Sequence, residues 1–104
     1  MEQMHLIRRS LEIMKGGEKA ALATIIRTKG STPRKAGSKM IIFSSGRIEG
    51  TIGGGCGEAE VIEKALEVIA TKKHTHQQVD LTKGLFYEDG GICGGIMDVF
   101  IEPL

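Results

Sequence analysis

The chain has no tryptophan, one tyrosine, three phenylalanines, two prolines and two cysteines among its 104 residues. So few aromatics leave no platform for stacked bases, and a net charge of +1 creates no field to recruit nucleic acid or an anionic membrane. Two cysteines cannot build a disulfide framework, and they do not stand at zinc-finger spacing. No apolar run reaches the length of a membrane span, and the first ten residues lack the apolar stretch of a signal peptide. These absences predict a cytoplasmic protein with reduced thiols and neither nucleic-acid nor membrane partners. The length and the 40% hydrophobic, 26% charged composition fit one ordinary globular domain over residues 1–104.

Glycine, in contrast, is plentiful, and it gathers around both cysteines. Gly53-Gly54-Gly55-Cys56-Gly57 is followed later by Gly91-Ile92-Cys93-Gly94-Gly95. Glycine runs let the main chain approach a ligand closely and adopt positive φ without steric cost. A thiol in such a turn lies near exposed main-chain donors, where its thiolate is favoured. Two such turns in a short chain suggest one site assembled from two loops.

Periodicity supplies the frame. Met4, Ile7, Leu11 and Met14 recur at helical spacing, and Gly16-Gly17 ends that helix. Met4, Met14, Met40 and Met97 read as core filler. Ala20 to Arg27, with Ile25-Ile26, reads as a buried strand, and Lys29 to Gly37 as a basic loop. Lys39–Phe43 and Arg47–Ile52 read as a hairpin around Ser44-Ser45-Gly46. A second helix is predicted from about Gly57 to Thr71, marked by Ala59, Ile62, Ala65, Leu66 and Ile69. Thr71–His76 reads as a polar connector, Val79–Leu81 as a short strand, Thr82–Gly91 as a loop and Ile96–Ile101 as the final strand. The order predicts an α+β domain, its sheet mixed or mostly antiparallel, with two main helices packed on it.

Several residues could carry chemistry. Residues 51–58 run from strand into helix, where unpaired N–H groups and the helix dipole favour an anion. The spacing is neither a Walker loop nor a dinucleotide fingerprint, and Glu58 and Glu60 would repel a phosphate unless they point away. A tight turn capped by glutamates explains the same glycines. Cys56, at a helix start, is the better thiolate candidate; Cys93 reads equally well as a small buried hydrophobe. Thr28 to Arg34 offers Ser31 and Thr32 hydroxyls with Lys29 and Arg34 cations; Arg34 and Lys39 could meet phosphate or carboxylate. His74 and His76 alternate at a spacing that metal ligands use, but in a polar connector without a nearby acid or thiol. Asp98 interrupts the last strand and is expected at solvent or the sheet edge.

Taken together these residues resemble the N-terminal domain of the xanthine dehydrogenase accessory factors, the XdhC/CoxI family. The likeness runs through Ala21-Leu-Ala-Thr-Ile-Ile-Arg-Thr-Lys-Gly-Ser-Thr-Pro-Arg34, Gly37-Ser-Lys-Met40, Gly50-Thr-Ile-Gly-Gly-Gly-Cys-Gly-Glu58, Asp80-Leu81, Cys93-Gly94-Gly95 and Val99-Phe-Ile-Glu-Pro103. It departs at Gly57, where relatives tend to carry a larger apolar residue. The resemblance implies a non-catalytic maturation protein that binds molybdenum cofactor (molybdopterin) and helps to sulfurate it or insert it into a molybdenum hydroxylase such as xanthine dehydrogenase. It implies Gly53, Gly54, Gly55, Cys56, Cys93, Gly94, Gly95, Ser31 and Arg34 as cofactor contacts, with Cys56 and then Cys93 touching the metal or its sulfur. The implied partners are the apo-hydroxylase, a cysteine desulfurase, and a separate polypeptide supplying the Rossmann-like half that family members commonly carry; the domain could also work as a homo-oligomer. Two other readings stand beside it: a sulfur-transfer or redox enzyme with Cys56 as nucleophile, and a structural subunit dependent on a Rossmann partner.

Overall fold

The computed structural model describes residues 2–53, 57–82 and 94–104. Helix α1 (Glu2–Gly16) is followed by strands β1 (Ala20–Lys29), β2 (Lys39–Phe43) and β3 (Ile48–Gly50), helix α2 (Glu58–Thr71), and strands β4 (Thr75–Asp80) and β5 (Ile96–Pro103). The strands form one sheet in the order β3-β2-β1-β5-β4, and every pairing is antiparallel. The protein is therefore an α+β domain whose five-stranded sheet carries a helix on each face.

Strand alternation gives the two faces different jobs. Ala21, Ala23, Ile25, Met40, Ile42, Val79, Met97, Val99 and Ile101 form one face, closed by Val61, Ala65 and Val68 of α2. On the other, Leu22, Ile41 and Phe43 meet Leu6 and Ile13 of α1. That helix lies mainly over β2 and β3, with Ala20 and Leu22 at the start of β1 joining the same cluster. The same face of β4, β5 and the end of β1 is thus left without a helix among the described residues.

The first helix is correctly located, but it packs through a different face from the one its spacing suggests. Leu6, Ser10 and Ile13 are buried, whereas Met4, Ile7, Leu11 and Met14 are all exposed by 42–57%. One polar pair ties this face of the helix to β3, and a bond within the helix satisfies its buried hydroxyl. Arg9 donates from Nε and Nη2 to the Glu49 carboxylate at 3.0 and 3.2 Å, and the Ser10 hydroxyl closes onto the Leu6 carbonyl at 2.8 Å. Met40 and Met97 are core residues as expected; Met4 and Met14 are not.

Helix α2 begins where the sequence places it; Ala65 is buried and Ile62 and Ile69 half-buried as expected, but Ala59 and Leu66 face solvent, and Val61 and Val68 are the other buried residues. Strand β3 is shorter than the expected hairpin arm. Strand β4 takes in Thr75 and His76, which the sequence reading gives to a connector, and the polar Gln77 and Gln78 before Val79; its pairing to β5 from Thr75↔Ile101 to Asp80↔Ile96 overrides a polar composition. Leu81 lies just beyond the strand. In β1 a register shift between Ile25 and Arg27 leaves Ile26 52% exposed, so only Ile25 of that pair enters the core. Asp98 lies on β5 between two partner strands and is 5% exposed, not at an edge.

Candidate functional site

The two glycine runs leave from the same end of the sheet. Gly57 stands at the N-cap of α2 with φ of 79°, a left-handed conformation that a side chain resists. A Cβ there would collide with Val79 Cγ1 and lie 3.4 Å from Leu81 Cδ2. Leu81 in turn donates its N–H to the Gly95 carbonyl at 2.8 Å. A Cβ on Gly95 would lie 2.5 Å from both the Lys29 and Ser31 carbonyls and 2.8 Å from Thr32 Cγ2. The described flanks of both cysteine runs therefore meet through the Val79–Leu81 segment, Gly57 against its side chains and Gly95 on the Leu81 N–H, while Gly95 also packs directly on the Lys29 and Ser31 carbonyls.

Gly54, Gly55, Cys56 and Cys93 lie outside the described residues. Of the other sequence-chosen positions, Gly53 is half-buried and donates its N–H to Thr51 Oγ1 at 3.0 Å. Gly95 is buried beside exposed Gly94, and Ser31 and Arg34 are exposed on their loop. The Arg34 carbonyl accepts a 2.8 Å hydrogen bond from Thr32 Oγ1, which shapes the turn around Pro33. Glu58 does not point away from the first glycine run: the Thr51 hydroxyl donates to its Oε2 at 2.6 Å. A carboxylate thus already stands at the positive end of α2, where an anion would otherwise be welcome.

Away from these loops, Lys39 is half-buried and donates from Nζ to Thr24 Oγ1 at 3.3 Å. His74 tilts against the Phe100 ring, centroids 5.4 Å apart, and His76 Nε2 lies 3.6 Å from Asp98 Oδ1. Among the described residues no group of three His, Cys, Asp or Glu could hold a metal ion, and no helix is long and apolar enough to cross a membrane. A hollow of about 350 Å³ lined by Ile13, Met14, Ile69 and Leu104 opens at the far end of the sheet from the glycine runs.

Sequence reasoning missed a polar cluster on the uncovered sheet face. Asp98 Oδ2 accepts Arg27 Nε at 2.8 Å, and its Oδ1 accepts Gln78 Nε2 at 3.3 Å. The Arg27 hydrogen bond, aided by that of Gln78, holds the Asp98 carboxyl below its usual range against the opposing effect of desolvation. The signal in the sequence was an aspartate breaking the apolar strand Ile96–Ile101, which makes sense only with a cationic partner.

The model of the XdhC and CoxI family matches residues 13–80. The uncharacterized protein YqeB of Escherichia coli K12 is 38% identical over 82 residues, 79% of this chain and 15% of that protein. A Bacillus subtilis protein described as a probable xanthine dehydrogenase subunit is 34% identical over 94 residues, 88% of this chain and 28% of the relative. The molybdenum cofactor insertion chaperone PaoD of Escherichia coli K12 is 32% identical over 66 residues, 64% and 21% respectively. A crystal structure of a xanthine dehydrogenase from Bacillus halodurans superposes with a TM-score of 0.78 at 28% identity, over 99% of this chain and 30% of that one. The chain spans less than a third of the length of each of these proteins.

Proposed function

The chain belongs to the XdhC and CoxI family, and from that premise we propose that it is an accessory protein in molybdenum-enzyme maturation. It holds molybdenum cofactor as cargo and helps to sulfurate it or insert it into a molybdenum hydroxylase. The observation that carries the reading is the family match together with a relative named as a cofactor insertion chaperone. Local geometry agrees with it. Gly95 packed directly on the Lys29 and Ser31 main chain, with Gly57 held nearby against the Val79 and Leu81 side chains, suits a ligand that is approached by bare backbone. Cys56 and Cys93, extending from the described flanks, would supply soft thiolates for molybdenum or its sulfur. Gly53, Gly54, Gly55, Gly94, Ser31 and Arg34 complete the assigned contacts. Its partners would be the apo-hydroxylase and a cysteine desulfurase, with a Rossmann-like polypeptide or a second copy completing the assembly.

A binding role is favoured over thiol catalysis by the histidines. His74 and His76 stand at the start of β4, at the opposite end of that strand from Asp80, which pairs with Ile96 beside the glycine junction, so neither lies at the described flanks of the cysteine runs. The test is titration of isolated molybdenum cofactor into the wild type, Cys56→Ala and Cys93→Ala. Binding by the wild type, weakened about tenfold or more by Cys56→Ala, is expected for loss of a metal-ligating thiolate. Equal binding by all three removes the cysteines from the site; no binding by the wild type removes the cargo.

A further inference from the structure

We propose that Arg27 and Lys29, with the Gln78 amide beside them, form a subsite for a phosphate monoester on the uncovered sheet face. Identifying that phosphate as the cargo's own rests on the carrier reading above; the subsite itself rests on its residues.

Arg27 owes its position to the β1 irregularity. Ile25 pairs with Val99 and Arg27 with Asp98, so the extra residue Ile26 is pushed outward and the guanidinium comes to stand over the buried carboxylate. Bulges re-aim side chains in this way. Asp98 would be costly to bury as an unpaired charge, and both of its oxygens are engaged, Oδ2 by Arg27 Nε and Oδ1 by Gln78 Nε2. That anchor uses only the Nε edge of Arg27. The Arg27 side chain remains 76% exposed, and its Nη groups have no hydrogen-bond partner among the described residues. A guanidinium fixed at Nε presents its other edge as a rigid two-pronged donor, which matches two oxygens of a phosphate.

The surroundings suit the same ligand. Lys29, two residues along β1 and opposite Ile96, adds a second cation. Arg27, Thr28, Lys29, Gln78, Ile96 and Asp98 line a cleft of about 340 Å³. Ile96 gives it an apolar floor, and α1 stops short of it. The Lys29 carbonyl touches Gly95, so the cleft borders the described end of the second glycine run. By contrast, the start of α2 already holds the Glu58 carboxylate. An exposed cation is ordinarily just solvated; what sets Arg27 apart is the buried carboxylate that aims it.

The experiment follows backbone and side-chain amide NMR shifts during titration with inorganic phosphate and with phenyl phosphate. In the wild type the residues expected to move are Arg27, Lys29, Gln78 and Ile96. Arg27→Lys keeps the charge and loses the fork, Arg27→Gln loses both, and Lys29→Gln removes a side chain outside the Asp98 cluster. Affinity should fall about tenfold in both Arg27 variants and about threefold in Lys29→Gln; Lys15→Gln, on α1, should not change it. Should the Arg27 variants fail to fold, Lys29→Gln and the wild-type shift map still decide. Phosphate that moves no cleft residue, or binds all variants equally, overturns the subsite. A parallel titration with molybdenum cofactor separates the two readings. Cofactor binding that needs Cys56 but ignores Arg27 leaves the carrier and sinks the subsite. Arg27-dependent phosphate binding without cofactor binding does the reverse.

Discussion

Gly95 is the residue least able to change. Its Cβ position is occupied by two backbone carbonyls, from Lys29 and Ser31, which cannot turn aside as a flexible side chain could. Gly95→Ala should cost about 3 kcal/mol through forced separation of β1 and β5, read as a fall in denaturation midpoint. Gly57→Ala combines about 1–2 kcal/mol of left-handed strain with a clash against Val79, and should fray the start of α2 in amide exchange. Two carboxylates predict the acid limb of stability. Hydrogen bonds from Arg9, supported by Arg47, lower the Glu49 pKa below 4.5, and those from Arg27 and Gln78 lower that of Asp98 below 3.8. A carboxylate depressed in the folded state adds stability above its unfolded pKa and loses it as pH falls through the folded value. Stability should therefore decline as pH drops below about 4, with a shallower decline in Glu49→Gln; an unchanged slope would show that the ion pair contributes nothing. Legibility at this scale was uneven. The glycines announced themselves, because their crowding is written as a run. Asp98 and Arg27 did not, because a contact across 71 residues and one extra residue in β1 leaves no local pattern.

Among the elements, α1 shows where periodicity stops being informative. The sequence carries two apolar rows on that helix, and the longer one faces water. Helical spacing reveals a row but not its neighbour, and here the Arg9–Glu49 pair, with Arg9 and Arg47 both over the Phe43 ring at 5.8 and 4.0 Å, turns the shorter row inward. Leu6→Ala should accordingly cost about 2–4 kcal/mol, whereas Leu11→Ala should stay within about 0.5 kcal/mol; equal losses would mean that the helix docks by the other row. The remaining elements were legible wherever burial and composition agreed, as in β1, β2, α2 and β5. Strand β4 was not, since Thr75 to Gln78 is polar and is made a strand by its neighbour β5 rather than by its own preferences.

For the molecule as a whole, the sequence was sufficient for class and helix count but not for strand order. Nothing in residues 96–103 tells that they enter between β1 and β4. That insertion nevertheless decides what stands at one end of the domain. It brings Gly95 beside Lys29 and Ser31 and sets Asp98 under Arg27. It also imposes an order on synthesis. While a ribosome is still making the chain, β1 and β4 have no strand between them, and neither the glycine junction nor the arginine clamp exists. A nascent chain arrested before Ile96 leaves the exit tunnel should remain protease-sensitive throughout, then become resistant in one step once Pro103 is clear. The glycine junction and the arginine clamp at this end of the sheet would thus be assembled last.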